Sequence, residues 1–148
     1  MSQSYIRCLV HLVWSTHNRV PVISPDVRGR LHAYLGGVVR TAGAHAHVIG
    51  GTDDHVHLLL SLTATKTIME IVRAAKGVSS RWMHENGVPE FRWQDGYGAF
   101  SVAAEAQERV EAYIRRQEEH HRVVSFQEEF LEFLRRNNVE YDPRYIWT

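Results

Sequence analysis

The chain has 148 residues, of which 44% are hydrophobic and 23% charged, as in an ordinary globular domain. It contains no apolar run of the roughly 20 residues that cross a bilayer, no signal-peptide pattern at its start, and a single cysteine, Cys8. We therefore expect one domain in a cytoplasmic setting, and neither a membrane protein, a disulfide-stapled secreted protein nor a zinc finger.

The formal net charge is zero, but the charges are unevenly distributed. Residues 1–104 carry ten Lys/Arg and seven Asp/Glu, whereas residues 105–148 carry seven Arg and ten Asp/Glu. Fifteen of the seventeen basic residues are Arg, which suits bidentate contacts to phosphate. Ordinary solvated charges explain the same numbers, so charge alone leaves nucleic-acid binding open.

The first half of the chain predicts the order β-α-β-β. Residues 6–14 are rich in β-branched and aromatic types and predict a strand. Ser24 is a suitable N-cap for a helix that we expect to end at Gly43. Residues 45–50 and 55–60 flank a Gly-Thr-Asp-Asp turn, which predicts a hairpin.

The second half predicts a helix, a strand and two further helices. Apolar residues at helical spacing indicate a helix over residues 67–82, and residues 91–102 supply one interrupted strand or two short ones. Residues 105–121 predict a third helix and residues 126–136 a short fourth. The aromatic tail, residues 139–148, is expected to pack against the rest.

The predicted order β-α-β-β-α-β defines an α+β fold of the ferredoxin-like (split β-α-β) class. We expect an antiparallel sheet with helices on one face, followed by the two C-terminal helices. RNA-binding modules, small enzymes and regulatory domains share this order, so it does not specify a function.

Two histidine pairs have the spacing of a metal site. His55 and His57 are two residues apart on a strand, so both side chains leave the same face of the sheet. Two such imidazoles suit a divalent cation if a third ligand arrives from elsewhere. His45 and His47 have the same spacing, and either pair fits two surface histidines, so spacing alone does not choose between them.

Tyr113 and Gln117 are four residues apart on the third predicted helix and are therefore neighbours on its surface. A phenol and an amide oxygen placed in this way can face a common site. A core tyrosine beside a boundary glutamine explains the pair equally simply. As a nucleophile, tyrosine needs its proton removed or its target made more electrophilic by a metal.

Five short segments, in order along nearly the whole chain, resemble the HUH single-tyrosine transposases of small insertion sequences and their relatives, the REP-associated tyrosine transposases. The segments are residues 11–16 (HLVWST), 54–59 (DHVHLL), 76–80 (KGVSS), 93–97 with 100–102 (WQDGY and FSV) and 110–117 (VEAYIRRQ). Each is weak alone, but five in the same order are specific.

The resemblance implies roles for the matched residues. His55 and His57 correspond to two metal ligands, Gln117 to the third and Tyr113 to the nucleophile, so the other histidine pair is expected to be structural or merely near the DNA. The implied metal is Mg²⁺ or Mn²⁺. The implied reaction cleaves and rejoins single-stranded DNA at hairpin-flanked ends through a 5′-phosphotyrosine link. The implied assembly is a homodimer in which the tyrosine helix of one subunit can complete the other's site.

The resemblance divides the chain into a ferredoxin-like core (1–104), a tyrosine helix (105–121) and a C-terminal extension (122–148) whose role it leaves open. Basic and aromatic side chains of the core are candidate DNA contacts. They are Lys76, Arg19, Arg73, Arg81, Arg92 and Trp14, with Arg7, Trp82 and Trp93 as weaker candidates. The segment 17–19 and the Thr-rich loop after the histidine strand depart from the family pattern, and these differences concern DNA contacts more than catalysis.

Two alternatives stay open at this point. A domesticated member would process host repeat hairpins with the same catalytic residues, and only genomic neighbours separate it from a mobile element. A non-catalytic RNA- or DNA-binding module on the same fold would tolerate the loss of Tyr113. The joint presence of both histidines, Tyr113 and Gln117 speaks against that module.

Overall fold

The computed structural model describes residues 3–148. Four strands and five α-helices follow one another along this part of the chain. They are β1 (Cys8–Ser15), α1 (Pro25–Thr41), β2 (His45–Gly51), β3 (His55–Leu62), α2 (Ile68–Glu85), β4 (Gly98–Val102), α3 (Gln107–Arg115), α4 (Gln117–His120) and α5 (Phe126–Arg136). Within these residues, no helix has both the length and the apolar character that a membrane crossing requires.

The strands form one antiparallel sheet in the order β2-β3-β1-β4. Strand β1 is central, because Val13 pairs with His57 of β3 on one side and with Gly98 of β4 on the other. The hairpin of β2 and β3 is present, with a register shift between Ala46 and Val48. This arrangement confirms the predicted ferredoxin-like class.

The two faces of the sheet are covered by different helices. Alternate residues of β1, such as Val10, Leu12 and Trp14, join the main core together with apolar residues of α1 and α2. Residues of the opposite face, such as Leu9 and Val13, pack instead against residues of α3 and α5. As predicted, α1 and α2 lie on the same face of the sheet. The C-terminal helices α3 and α5 cover the opposite face.

The structure corrects several of the predicted boundaries of helices and strands. Helix α2 begins at a reciprocal capping box between Thr67 and Glu70 and runs to Glu85, about one turn beyond the predicted end. Ser24 occupies the N-cap position of α1, but its side chain makes no capping hydrogen bond. Of the predicted strand 91–102, only β4 is regular, and Trp93 forms a single isolated bridge with Thr16, the residue after β1.

The predicted continuous helix over residues 105–121 is wrong. A 3₁₀ turn (Ala104–Ala106) precedes α3, and Arg116, with φ −99° and ψ 19°, leaves helical geometry between α3 and α4. The Arg116 N–H is shared between the carbonyls of Ala112 and Tyr113, as at a helix end. The tail packs in part: Ile146 lies against the aromatic residues of α5.

Helix α3 crosses β2 at very close range, at Gly50. A β-carbon added to Gly50 would lie 2.3 Å from the carbonyl oxygen of Ile114. We expect Gly50→Ala to displace α3 and to destabilise the protein by about 1–3 kcal/mol, as overpacking does. Chemical denaturation measures this cost. Gly37→Ala on α1 is the control, because a β-carbon added there has no neighbour within 4 Å, and it should be neutral or stabilising by up to about 1 kcal/mol. An equal loss of stability in both variants would contradict the prediction.

Candidate active site

His55 and His57 lie side by side on the face of β3 that the C-terminal helices cover. Both side chains are completely buried, and their ring centroids are 5.1 Å apart. The other pair, His45 and His47, lies on the edge strand β2, where the His47 Nε2 is 2.6 Å from the hydroxyl of Ser61. The two pairs with equal spacing therefore occupy different environments.

The structure brings the other two predicted site residues to His55 and His57. The buried Gln117 of α4 accepts a hydrogen bond through its Oε1, which is 2.9 Å from the Nε2 of His55. The ring of Tyr113 on α3 lies edge-on to His57, with ring centroids 5.9 Å apart. All four residues belong to one chain, and the break at Arg116 separates the helices that carry Tyr113 and Gln117.

Glu129 of α5 stands at the centre of this group, and sequence reasoning missed it. Its buried carboxylate accepts hydrogen bonds from the Nε2 of His57 (2.8 Å), from the Nε2 of Gln117 (3.1 Å) and from the hydroxyl of Tyr113. A signal existed: residue 129 shares the apolar face of α5 with Phe126, Phe130 and Phe133. A carboxylate amid such a face needs a partner, since burial of an unpaired charge is costly.

Two consecutive histidines at the end of α4 complete the cluster, and these too were missed. The Nε2 of His121 is 3.2 Å from Oε1 of Glu129 and 2.9 Å from Oε1 of Gln117. The Nε2 of His120 lies 3.3 Å from the hydroxyl of Tyr113 and 3.3 Å from Oε2 of Glu129. His120 is half-buried and forms the outer side of the cluster.

Residues behind the histidines orient the rings. The Nδ1 of His55 is 2.7 Å from a carboxylate oxygen of Asp54 and 3.1 Å from the hydroxyl of Thr52. The Nδ1 of His57 is 2.7 Å from the Nε2 of His11, a buried residue of β1. These contacts leave the Nε2 atoms of both rings directed at Gln117 or Glu129.

The environment sets the protonation states of these groups. Burial lowers the pKa of His57 to about 4, although Glu129 opposes this shift, and burial lowers the pKa of His11 to about 3. Burial opposes ionisation of Glu129, but the hydrogen bonds that His57 and His121 donate to it outweigh burial and hold the pKa of that carboxyl well below its usual range. Burial and the nearby Glu129 raise the pKa of the Tyr113 phenol. At neutral pH the cluster therefore combines a neutral His57, an anionic Glu129 and a protonated phenol.

The donor set fits a divalent cation. Within residues 3–148, ligand atoms of His55, His57, His121 and Glu129 lie within 4.8 Å of one another, and Gln117 adds an amide oxygen. Neutral imidazoles and an ionised carboxylate are the forms that coordinate metals.

Two candidate DNA contacts have structural roles instead. Trp14 has no exposed surface and packs in the main core, so its indole is not available for base stacking. The ammonium of Lys76 donates to three successive backbone carbonyls, those of Gln94 (2.8 Å), Asp95 (3.1 Å) and Gly96 (2.6 Å). Burial lowers the pKa of Lys76 to about 8.

The remaining basic candidates differ in their surroundings. Arg73, Arg81 and Arg92 are exposed and stay predicted DNA contacts. The guanidinium of Arg19 lies over the ring of Trp147 at 5.3 Å from its centroid, and its backbone has a positive φ of 57°.

The three weaker candidates also make contacts within the protein. Arg7 donates to the side chain of Gln107. Trp82 stacks on Tyr34 with centroids 5.3 Å apart, while Trp93 is buried and donates to the hydroxyl of Ser79. Trp93 is therefore a core residue, and Trp82 is partly covered by its neighbour.

The ammonium of Lys76 hydrogen-bonds the backbone of residues 94–96 to α2. We therefore expect Lys76→Ala, which removes these charge-assisted hydrogen bonds, to destabilise the protein by about 2–3 kcal/mol. Denaturant unfolding measures this loss. Arg73→Ala, one turn earlier on α2 and exposed, is the matched control and should leave the unfolding free energy unchanged. Unchanged stability of Lys76→Ala with a smaller salt dependence of DNA binding would restore the predicted phosphate contact.

Comparison with known proteins identifies the family. The family model described as "Transposase IS200 like" matches residues 4–117, so the match ends at Gln117, before His121 and Glu129. The ISDra2 transposase TnpA of Deinococcus radiodurans is 29% identical over 115 residues, which cover 72% of this chain and 81% of that protein.

Two solved structures share the fold. A putative transposase from Deinococcus radiodurans superposes with a TM-score of 0.64 at 26% identity, covering 79% of this chain and 96% of its own. A REP-associated tyrosine transposase bound to a REP hairpin has a TM-score of 0.62 at 16% identity, covering 84% and 74%, and this likeness supports the fold alone. Since the family model spans well over half of the sequence, the chain belongs to the IS200-like transposases, the single-tyrosine group of the HUH class.

Proposed function

We propose that this transposase cleaves and rejoins single-stranded DNA with Tyr113 as the nucleophile, beside a divalent cation held by His55, His57 and Gln117. One observation carries the proposal. The phenol, the amide and both imidazoles, which come from three elements, meet in a single hydrogen-bonded cluster around Glu129.

The proposed reaction conserves the phosphodiester bond energy. The oxygen of Tyr113 forms a bond to phosphorus, the bond from phosphorus to the 3′ oxygen breaks, and that oxygen leaves as a 3′-hydroxyl. The product is a 5′-phosphotyrosine link. A 3′-hydroxyl, from the same strand or another, later attacks this link and releases the phenol, so no nucleotide cofactor is consumed.

The metal and the protein have separate parts in this scheme. A divalent cation, Mg²⁺ or Mn²⁺, when bound by the histidines, supplies positive charge against the scissile phosphate. Asp54 and His11 hold the two imidazole rings in orientation from behind. Tyr113 is protonated at rest because burial and Glu129 raise its pKa, so its proton must leave as the bond to phosphorus forms.

The proposed substrate is a DNA hairpin with an adjacent single strand, and the proposed assembly is a homodimer. A cavity of about 470 Å³ opens beside Tyr113. Arg109 and Arg136 line it and suit phosphate oxygens, although Glu128, Glu129 and Glu132 line it as well. The hairpin is proposed because the structural neighbour described above is bound to one. In the homodimer, α3 of one subunit can serve its own histidines, as in the cluster described here, or complete the site of the other subunit.

The decisive experiment incubates the protein with end-labelled single-stranded hairpin DNA and Mg²⁺ or Mn²⁺, followed by denaturing gels. A covalent protein–DNA adduct that needs the metal is the expected result. DNA with the hairpin stem unpaired by substitution is the matched control and should give far less adduct. Formation of free cleaved ends without an adduct would contradict the tyrosine mechanism.

A further inference from the structure

We propose that the cavity beside Tyr113 is a nucleobase subsite, which binds the first unpaired base on the 3′ side of the cleaved bond by stacking against Phe133. The inference rests on the proposed function in one respect, since it takes Tyr113 to be the nucleophile. It goes further by naming the substrate group that fills the cavity. It also gives a role to α5, which lies beyond the segment that matches the family model.

The size and the wall of the cavity suit a flat aromatic group. Its volume of about 470 Å³ lies within the roughly 300–1,000 Å³ that is usual for ligand pockets. Aromatic side chains from four different elements line it: His11 of β1, Tyr113 of α3, His120 of α4 and Phe133 of α5. Because every nucleobase has a π-face, aromatic rings of this kind stack with unpaired bases whatever the sequence.

Neighbouring rings hold Phe133 in a fixed orientation. Phe133 is partly exposed and stacks on Phe100 of β4, with ring centroids 5.3 Å apart and planes inclined by 16°. The rings of His11 and Tyr113 approach it nearly at right angles, with centroids at 5.0 Å and 6.0 Å. A base that enters the cavity therefore meets a preorganised ring, which lowers the entropy cost of stacking.

The charges around the cavity favour an uncharged group in its interior. Arg109 and Arg136 are opposed by Glu128, Glu129 and Glu132, and the Nε of Arg136 donates to Glu132 at 2.9 Å. Because the carboxylates at least balance the guanidiniums, a whole anion gains no net attraction there, whereas an uncharged base meets no repulsion. A nucleotide matches both parts of the lining, its base the aromatic rings and its phosphate the guanidiniums.

The position of the cavity selects the nucleotide. In the proposed reaction the oxygen of Tyr113 becomes bonded to the 5′ phosphate of the nucleotide that follows the cleaved bond. That nucleotide is then tethered to Tyr113, whose ring centroid lies 6.0 Å from that of Phe133. The base of this nucleotide is therefore the base closest to the cavity, both before cleavage and in the covalent intermediate.

A scan with 2-aminopurine tests the subsite by binding, without reference to cleavage. Hairpin DNA with an unpaired flank carries this fluorescent base at one flank position per substrate, and the full-length protein is added with a metal chelator. Stacking on an aromatic ring quenches 2-aminopurine, so we expect one position at which quenching depends on Phe133. Phe133→Leu should abolish that quenching and weaken binding about 5- to 150-fold, the range that loss of one stacked base produces.

Three further variants make the result specific. Phe133→Tyr keeps the aromatic ring and should restore the quenching. Tyr145→Leu removes an exposed aromatic residue of the C-terminal extension that does not line the cavity, and it should behave like the wild type. Val124→Met lengthens a side chain that lines the cavity and should also reduce the quenching, so it decides the matter if Phe133→Leu fails to fold.

The outcomes separate the inference from the proposed function. If the wild type, Val124→Met and a folded Phe133→Leu give the same quenching at every position, the subsite is overturned, while an adduct formed with metal still supports the proposed function. Quenching that depends on Phe133, with no adduct in Mg²⁺ or Mn²⁺, supports the subsite and contradicts the assignment of the nucleophile. When an adduct forms, the length of the released DNA locates the cleaved bond. A position dependent on Phe133 anywhere but directly 3′ to that bond overturns the assignment of the nucleotide.

Discussion

Tyr113→Phe is expected to lower the rate of covalent adduct formation by at least about 10⁴-fold, the scale at which loss of a nucleophile acts. The substitution removes the one oxygen that attacks phosphorus and leaves the ring in place. Glu129 keeps its hydrogen bonds to His57 and Gln117, so the cluster and the fold should survive. Denaturing gels with labelled hairpin DNA measure the adduct.

Binding of DNA by Tyr113→Phe provides the internal control. Its affinity for the hairpin should stay within about threefold of the wild type, a difference below 1 kcal/mol. Tyr34 lies on α1 and stacks on Trp82, so Tyr34→Phe should form the adduct normally. An adduct that persists in Tyr113→Phe would overturn the assignment of the nucleophile, and normal binding with no adduct from any wild-type preparation would favour a non-catalytic nucleic-acid-binding module.

His57→Ala should reduce metal-dependent cleavage more than about 100-fold, because removal of even an outer partner of a metal ligand costs 10–100-fold. The imidazole lies between His11 and Glu129, so its loss also leaves the Glu129 carboxylate short of a donor. Cleavage of labelled DNA across a Mn²⁺ titration measures the effect, and the thermal melt of the variant reports whether it folds.

His47→Ala is the control with the same sequence spacing. His47 lies on the edge strand β2 and is hydrogen-bonded to Ser61 and Gln107, so this variant should cleave at close to the wild-type rate. If His47→Ala and a folded His57→Ala lose the same amount of cleavage activity, the assignment of the metal to His55 and His57, rather than to the other histidine pair, is contradicted.

The core of the fold was predictable because its signals are local. The hairpin of β2 and β3 needs only a polar turn between apolar segments, and α2 is marked at its start by Thr67 and Glu70. The placement of His55 and His57 on one face follows from the period of a strand. These features do not depend on knowing which distant residues they meet.

The cluster around Glu129 was not predictable in the same way. His121 and Glu129 reach His57 only because α4 and α5 fold back over the sheet, and no short-range spacing encodes that return. The break at Arg116 comes two residues after Ile114, where α3 meets Gly50 of β2, and no helix-stop residue marks it in the sequence. Trp14 was predicted to contact DNA but is buried in the core. An aromatic residue in a matched segment can either pack in the core or stack on a base, and only its tertiary neighbours decide between these roles.

The position of His120 has a consequence for where the proton of the nucleophile can go. Its Nε2 lies 3.3 Å from the Tyr113 hydroxyl, and the imidazole retains 31% of its side-chain surface, compared with 9% for His121 and 2% for Glu129. An imidazole can accept a proton on one ring nitrogen and release another from the second. His120 is therefore placed to pass a proton between the Tyr113 phenol and the cavity that both residues line.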